Sequence, residues 1–194
     1  MTLSPDDLSQ RQQLRRTLRA RRRSLSPAAQ RQASRRLRRH MRRELYLHQA
    51  RHIGVYLAND GELDALSALS GLDRVRRRLY LPVLPRHGGA VLHFVHWRPG
   101  EPLVRNRFGI GEPRLRCRRQ VPLWRLDVLL LPLVAFDDGG ARLGMGGGFY
   151  DRALATLARR PTRPRLTGVA HGFQRVARLP TADWDQPVDN VITD

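Results

Sequence analysis

Lysine is absent from this sequence, and cysteine occurs only once. All 36 basic residues are arginine, which excludes a Walker phosphate loop because that loop needs a Gly-Lys-Ser/Thr segment. The single cysteine, Cys117, excludes an internal disulfide framework and a cysteine-based zinc cluster, and it favours a reducing compartment. No apolar run reaches the length of a membrane-spanning helix, and no signal-peptide core precedes a cleavage site. We therefore expect a soluble cytoplasmic protein, and 194 residues favour a single domain, 1–194.

The positive charge is concentrated near the N-terminus. Residues 1–51 hold 15 arginines against three acidic residues, which is a net +12 of the chain's +19. Such a segment could bind RNA or DNA, or it could be an arginine-rich transit peptide. However, no aromatic residue lies among these arginines to stack on bases. Nucleic-acid binding is therefore the less favoured reading.

A helical pattern gives the alternative reading of the same segment. Ser4-Pro5 and Ser26-Pro27 supply N-cap and first-turn residues for two helices. Apolar residues recur at every fourth position of the second helix: Ala29, Ala33, Leu37, Met41 and Leu45. We predict two packed helices whose arginine pairs form a solvated face.

The stretch from Leu126 to Asp151 carries the clearest functional signal. Its first part is a short apolar run without helical period, which is typical of a strand covered on both faces. The glycines that follow, Gly144 and Gly146 to Gly148, let the backbone approach a ligand closely at the start of a helix near Tyr150. Arg142 adds a planar set of donors. Although a glycine pair alone is usually a flexible turn, this arrangement predicts an anion site.

Several segments resemble one enzyme family. RLGMGGGFYDR, at 142–152, is similar to the RxGxGGGYYDR signature of the 5-formyltetrahydrofolate cyclo-ligases, also called methenyltetrahydrofolate synthetases. Other matching segments follow the family order: RQQLR at 11–15, GELDALSAL at 61–69, YLPV at 80–83, FGIGEP at 108–113, GVAHGFQ at 168–174 and LPTADWDQPVDNVIT at 179–193. With strands predicted at 52–57, 79–83, 91–97, 126–134, 165–170 and 187–193, we expect an α/β fold. Its mixed, largely parallel sheet would be flanked by helices in a single domain with two N-terminal helices.

The resemblance implies an activity and a set of site residues. It implies that ATP and 5-formyltetrahydrofolate, possibly as a polyglutamate, give 5,10-methenyltetrahydrofolate, ADP and phosphate through a phosphorylated formyl intermediate. Arg142 would stabilise the transferring phosphoryl group. The implied ATP-binding residues are Arg11, Arg15, Arg142, Leu143, Gly144, Met145, Gly146, Gly147, Gly148, Phe149 and Tyr150. The implied substrate-binding residues are Leu57, Glu62, Met145, Gly146, Gly147, Gly148 and Phe149. Magnesium would be bound by Asp151 and Asp189, and we expect a monomer without membrane partners.

Simpler readings of the same residues remain open. Glu62 and Asp151 could merely complement helix dipoles, and Asp189 could be an exposed carboxylate at a strand end. The chain also departs from the family pattern at four positions: Arg11 for lysine, Met145 in the loop, Phe149 for tyrosine and Trp184 for histidine. Because of these departures one alternative remains open: the chain could be a basic RNA-associated or scaffold protein that retains the fold without catalysing the reaction.

Overall fold

The computed structural model describes residues 3–70, 72, 77–85, 91–114, 119–158 and 160–194, so Cys117 lies outside the described residues. The helices are α1 (Pro5–Arg23), α2 (Pro27–Met41), α3 (Leu45–Gln49), α4 (Ala65–Leu69) and α5 (Phe149–Ala155). The strands are β1 (His52–Gly54), β2 (Arg78–Val83), β3 (His93–Trp97), β4 (Val104–Arg105), β5 (Gly111–Glu112), β6 (Gln120–Val121), β7 (Val128–Pro132), β8 (Ala135–Phe136), β9 (Arg142–Leu143), β10 (Arg165–Ala170) and β11 (Asn190–Thr193). No helix in this part of the chain is long and apolar enough to cross a membrane.

The two N-terminal helices begin where their capping residues predict. The Ser4 hydroxyl accepts from the Asp7 N–H, and the Asp7 carboxylate accepts from the Ser4 N–H, which forms a capping box. At α2 the Ser26 hydroxyl accepts from the Ala29 N–H at 3.2 Å. The apolar stripe of α2 is buried at Ala33, Leu37 and Met41. It stops there, because α2 ends at Met41, and Leu45 is 76% exposed at the start of α3.

One seven-stranded sheet organises the molecule, in the order β11-β10-β7-β1-β2-β3-β6. Strands β11, β10, β7, β1 and β2 are parallel to one another. Strand β3 is antiparallel to β2, and β6 is antiparallel to β3. This confirms the predicted mixed, largely parallel sheet. The chain places β2 on one side of β1 and β7 on the other. The carboxyl ends of β1 and β7 therefore form the topological switch point, where sheets of this kind bind ligands.

Both faces of β7 are covered, as its apolar run predicts. Val128 and Leu130 pack with residues of α2 and α4. Leu129 and Leu131 pack on the opposite face with residues of α5. A smaller cluster joins Leu18 of α1 to the β8–β9 hairpin. Helix α1 therefore packs on the hairpin beyond the end of β7.

Three predicted elements differ in the structure. The helix expected to contain Glu62 begins later, at Ala65, with Asp64 as its N-cap. The strand predicted over 126–134 does not lead directly into the glycine loop, because the β8–β9 hairpin intervenes. Its turn is held by Asp137, whose Oδ1 accepts from the Gly139 and Ala141 N–H groups at 3.0 Å each. The sequence between the strands predicted at 91–97 and 126–134 predicts a long loop over residues 105–113, whereas the structure forms the β4–β5 hairpin there.

Candidate active site

Two chain segments meet at the carboxyl ends of β1 and β7, residues 55–62 and the glycine loop, residues 144–148. Helix α1 lies against both, and its Arg22 is the link. Arg22 Nε donates to the Asp60 carbonyl at 2.7 Å, and Arg22 Nη1 donates to the Leu133 carbonyl at 3.3 Å. Because Arg22 is 1% exposed, these bonds form a buried joint between the ends of the two strands. We call the space between the two segments the cleft.

The glycine loop has a backbone that other residues would strain. Gly146 and Gly148 have φ of 98° and 63°, in the left-handed region that favours glycine. A Cβ added at Gly148 would lie 2.7 Å from Arg152 Nη1. Among the described residues, none accepts from the N–H groups of Gly146 and Gly147. The loop therefore has backbone donors without a partner in the described structure, as an anion site requires.

Three arginines lie on one face of α1, toward the cleft. The outer two, Arg11 and Arg22, each pair with a carboxylate: Arg11 Nη2 lies 3.1 Å from Asp185 Oδ1, and Arg22 Nη2 lies 2.9 Å from Asp60 Oδ2. Arg15 lies between them and has no carboxylate partner in the described chain. Its Nε donates to the Gly144 carbonyl at 2.9 Å. Burial lowers the pKa of the Arg15 guanidinium, which lies beside the loop without a carboxylate partner among the described residues.

Arg142 lies behind the glycine loop and pairs with Asp151. Its Nη2 is 2.6 Å from Asp151 Oδ1, and its side chain is 5% exposed. The buried Nε of Arg142 has no hydrogen-bond partner in the described structure. A buried donor without a partner is costly. Arg142 therefore retains hydrogen-bonding capacity that a ligand could use.

Glu62 lies in the turn after β1, and its carboxylate is almost buried. Its Oε2 accepts from the Asn59 N–H at 3.1 Å, and its Oε1 is 3.7 Å from Arg22 Nη1. Burial raises the pKa of Glu62 to about 7, although the Arg22 charge lowers it. Burial also raises the pKa of Tyr150, and the Glu62 carboxylate raises it further. Glu62 is therefore poised between its two protonation states at neutral pH.

An apolar wall lies beside the glycine loop. The rings of Phe108 and Phe149 are 6.0 Å apart and steeply inclined, and the Arg107 guanidinium lies within 6 Å of both. The β4–β5 hairpin also reaches Leu57, since a Cβ added at Gly111 would lie 3.5 Å from Leu57 Cδ1. Phe108, in the FGIGEP segment, therefore lies against Phe149 at the end of the glycine loop.

A sequence profile of the 5-formyltetrahydrofolate cyclo-ligase family matches residues 7–194. The chain belongs to this family. The 5-formyltetrahydrofolate cyclo-ligase of Escherichia coli K12 is 43% identical over 176 residues, covering 91% of this chain and 96% of that protein. The cyclo-ligase of Haemophilus influenzae is 38% identical over 182 residues, covering 94% and 96%.

Solved structures of cyclo-ligase relatives share the fold. The 5,10-methenyltetrahydrofolate synthetase of Aquifex aeolicus superposes with a TM-score of 0.77 at 28% identity, over 94% of this chain and 88% of that one. The Mycoplasma pneumoniae 5,10-methenyltetrahydrofolate synthetase gives 0.71 at 20% identity, over 95% and 98%. The second likeness supports the fold alone.

The two carboxylates that the cyclo-ligase resemblance assigns to magnesium make no contact with each other in the structure. Asp189 Oδ1 accepts from Arg163 Nη2 at 2.7 Å. Asp189 Oδ2 accepts from Arg163 Nη1 at 2.9 Å and from the Leu166 N–H at 2.7 Å. Asp151 is held separately by Arg142. The described residues contain no group of three or more His, Cys, Asp or Glu side chains suited to a metal. A shared metal site is therefore not preformed by protein side chains.

Sequence reasoning missed the residues that brace the cyclo-ligase cleft from behind. His171 Nε2 hydrogen-bonds the Gly61 carbonyl at 3.0 Å, and burial lowers the pKa of His171. Gln174 Nε2 donates to the carbonyls of Leu133 and Val134 at 2.7 and 2.8 Å. The GVAHGFQ segment thus supports both strand ends. Its match to the family pattern was the available signal, and Asp185 lies in another matching segment, 179–193, whereas Arg22 lies in none.

Proposed function

We propose that this protein catalyses the ATP-dependent cyclisation of 5-formyltetrahydrofolate to 5,10-methenyltetrahydrofolate, with release of ADP and phosphate. One observation carries the proposal. A donor-rich glycine loop with Arg15 and Arg142 adjoins, within one cleft, an apolar wall and the nearly buried carboxylate of Glu62. The glycine loop and the two arginines suit phosphate groups, and the apolar wall with Glu62 suits a flat ring that carries N–H donors. Membership of the cyclo-ligase family supports this pairing.

The nucleotide is assigned to the glycine-loop side. The N–H groups of Gly146 and Gly147 and the guanidinium groups of Arg15 and Arg142 would hold phosphate oxygens. The other residues from Arg142 to Tyr150 would shape this half. Arg11, whose Nη1 and Nη2 engage Asp185, would contact phosphate through its remaining N–H groups.

The folate is assigned to the other half of the cleft. Leu57, Met145 and Phe149 would contact the flat pterin, and Phe149 needs no hydroxyl to stack on it. Met145 is 46% exposed, which suits a side chain that covers a ligand. Glu62 would accept hydrogen bonds from the N–H groups of the pterin. A pKa of about 7 lets ring donors favour its ionised form on binding.

The chemistry requires activation of a poor leaving group. The formyl oxygen attacks the γ-phosphorus, ADP leaves, and an imidate-like phosphate forms. N10 then attacks the formyl carbon and inorganic phosphate leaves as the ring closes. The protein positions the two substrates and neutralises developing charge. Arg142, whose buried Nε is unsatisfied, is assigned to the transferring phosphoryl group, and no protein nucleophile is needed.

Magnesium is proposed to bind together with the nucleotide. It would neutralise charge on the phosphate oxygens. Asp151 fits as a ligand, because its Oδ1 is bonded to Arg142 and its second oxygen can meet an ion. Asp189 already accepts three hydrogen bonds, which leaves about one acceptor position on its carboxylate and makes it the weaker of the two candidate ligands. Cytoplasmic location, monomeric state and use of polyglutamylated folate remain predictions from the sequence.

Turnover by the purified protein tests the proposal. Mg-ATP and 5-formyltetrahydrofolate should give the near-ultraviolet absorbance of the methenyl product, with one ADP released per product. Arg142→Ala should reduce kcat by about two to three orders of magnitude while the far-ultraviolet circular dichroism stays unchanged. Arg175→Ala, at an exposed surface ion pair with Asp138, is the matched control. Absence of both products from the wild type would refute the proposal, and a near-wild-type kcat in Arg142→Ala would refute the role of Arg142.

A further inference from the structure

The Arg11–Asp185 pair is a buried contact between the two ends of the chain. Arg11 Nη1 and Nη2 engage both carboxylate oxygens at 2.5 and 3.1 Å. Each side chain is 9% exposed. Asp185 Oδ2 also accepts from the Ala182 N–H at 2.9 Å, and Arg11 Nη1 reaches the Pro180 carbonyl at 3.4 Å. The pair therefore fixes α1 on the segment 179–185.

That segment is tied in turn to the β8–β9 hairpin. The Leu179 N–H donates to Asp137 Oδ2 at 2.9 Å, and the Val188 N–H donates to the Gly140 carbonyl at 3.0 Å. Strand β9 of the same hairpin carries Arg142 and continues into the glycine loop. A closed path of contacts thus leads from Arg11, through the C-terminal segment and the hairpin, to the loop.

Arg15 completes this path one helical turn after Arg11. Residues four apart in a helix lie on one face and are separated by about 6 Å along the axis. Because the helix is rigid over one turn, fixing Arg11 also fixes where Arg15 meets the Gly144 carbonyl. Burial lowers the pKa of Arg15 most, the charge of Arg11 lowers it further, and the charge of Asp185 opposes both effects. Asp185 thus affects both the position of Arg15 and the electrostatic potential at its guanidinium.

We propose that Asp185 is a positioning residue of the ATP site, which holds Arg11 so that α1 presents Arg15 to the phosphates at the glycine loop. The inference rests on the proposed function, because it presupposes that ATP binds there. A competing arrangement would have Asp185 occupy Arg11 until a phosphate displaces it. Separating a buried, bidentate pair leaves an uncompensated charge, which favours a pair that persists when ATP binds.

The two arrangements predict opposite changes in ATP affinity. For Asp185→Asn we expect KM for ATP and the dissociation constant of ATP to rise about tenfold or more, since small misplacements of a binding group are costly. KM for 5-formyltetrahydrofolate and kcat at saturating ATP should change less than twofold. Arg11→Lys, which keeps the charge but loses the fork, should give a smaller rise in the same direction. Glu101→Gln, which breaks the Glu101–Arg119 surface pair, is the control and should leave both constants unchanged.

Each possible result either supports or contradicts the positioning role of Asp185. Tighter ATP binding in Asp185→Asn would overturn the positioning role in favour of displacement by phosphate. Unchanged ATP affinity with a lower unfolding midpoint would show that the pair serves stability alone. If Asp185→Asn does not fold, unchanged ATP affinity in Arg11→Lys overturns the inference, and weakened affinity with unchanged folate KM supports it. Absence of ATP binding by the wild type would overturn the proposed function as well, whereas equal affinity in wild type and variants overturns this inference alone.

Discussion

At the scale of single residues, burial and pairing decide which charges of the cleft can act on a ligand. Arg11, Arg15 and Arg22 share one face of α1, yet the outer two are neutralised by carboxylates. Arg15 keeps its terminal nitrogens beside the glycine loop. Among the arginines of α1, Arg15 is therefore the strongest candidate for direct phosphate contact.

Removing the Arg15 guanidinium should weaken use of ATP. For Arg15→Ala we expect kcat/KM for ATP to fall by about two orders of magnitude, because a charge-assisted donor to phosphate is lost. Steady-state kinetics at varied ATP measure this effect. The neighbouring Arg16 is exposed, so Arg16→Ala is a matched control that should behave like the wild type. Equal losses in the two variants would contradict the assignment.

Glu62 should make stability depend on pH. Its pKa rises from 4.5 to about 7 on folding. Below pH 4.5 Glu62 is protonated in both the folded and the unfolded state, so its burial does not lower the free energy of unfolding through ionisation. Between pH 4.5 and 7 the unfolded chain ionises first, so stability falls as pH rises through this window. At 1.36 kcal/mol per pKa unit the loss is on the order of 3 kcal/mol.

Urea denaturation of wild type and Glu62→Gln from pH 5 to 8 measures this loss. The variant lacks the titrating group, so its unfolding free energy relative to wild type should rise from pH 5 and level off near pH 8. Glu101, whose pKa is lowered by its bond to Arg119, provides a control, because it is ionised in both the folded and the unfolded state above pH 5 and Glu101→Gln should run parallel to wild type in this range. Parallel pH profiles for wild type and Glu62→Gln would show that burial of Glu62 is not coupled to its ionisation.

At the scale of elements, local signals predicted well and long-range pairing did not. The starts of α1 and α2 follow from Ser4-Pro5 and Ser26-Pro27, and β7 follows from its apolar run, because these signals lie within a few residues. The two-residue strands β8 and β9 carry no such period. Their pairing depends on the Asp137 turn and on packing against α1. Distant ion pairs such as Arg11–Asp185 bring together residues 174 positions apart, which no local pattern encodes.

The two predicted magnesium ligands lie in different parts of the fold, and their substitutions should have different effects. Asp151 lies in α5, and its substitution by Asn should raise the magnesium concentration needed for half-maximal activity. Asp189 precedes β11 and fixes the Leu166 N–H and Arg163. Asp189→Asn should instead lower the unfolding midpoint without changing the magnesium requirement. A raised requirement in both variants, with a combined effect clearly less than additive, would establish a shared ion.

At the scale of the whole molecule, with a net charge of +19, some arginines are paired with carboxylates and others are exposed to solvent. Three arginines of α1 and α2 form ion pairs with carboxylates: Arg22 with Asp60, Arg11 with Asp185 and Arg36 with Asp194. The last turn of α2 and the residues after it instead expose Arg38, Arg39, Arg42 and Arg43 to solvent. Arg38 and Arg39 lie in the last turn of α2, and Arg42 and Arg43 follow its end at Met41. The predicted solvated face fits this arrangement.

Neutralising this face should raise stability and leave catalysis unchanged. Substitution of Arg38, Arg39, Arg42 and Arg43 by Gln reduces self-repulsion in a strongly cationic chain, while glutamine keeps helix propensity close to that of arginine. Wild-type stability should rise between 0.05 and 0.5 M salt, because screening weakens the same repulsion, and the variant should respond less. Thermal melts at both salt concentrations, with kcat and KM for both substrates, test this expectation. Tight RNA binding by the wild type that weakens steeply with salt and is lost in the variant would instead make this face a nucleic-acid surface, and would return the RNA-associated function to consideration.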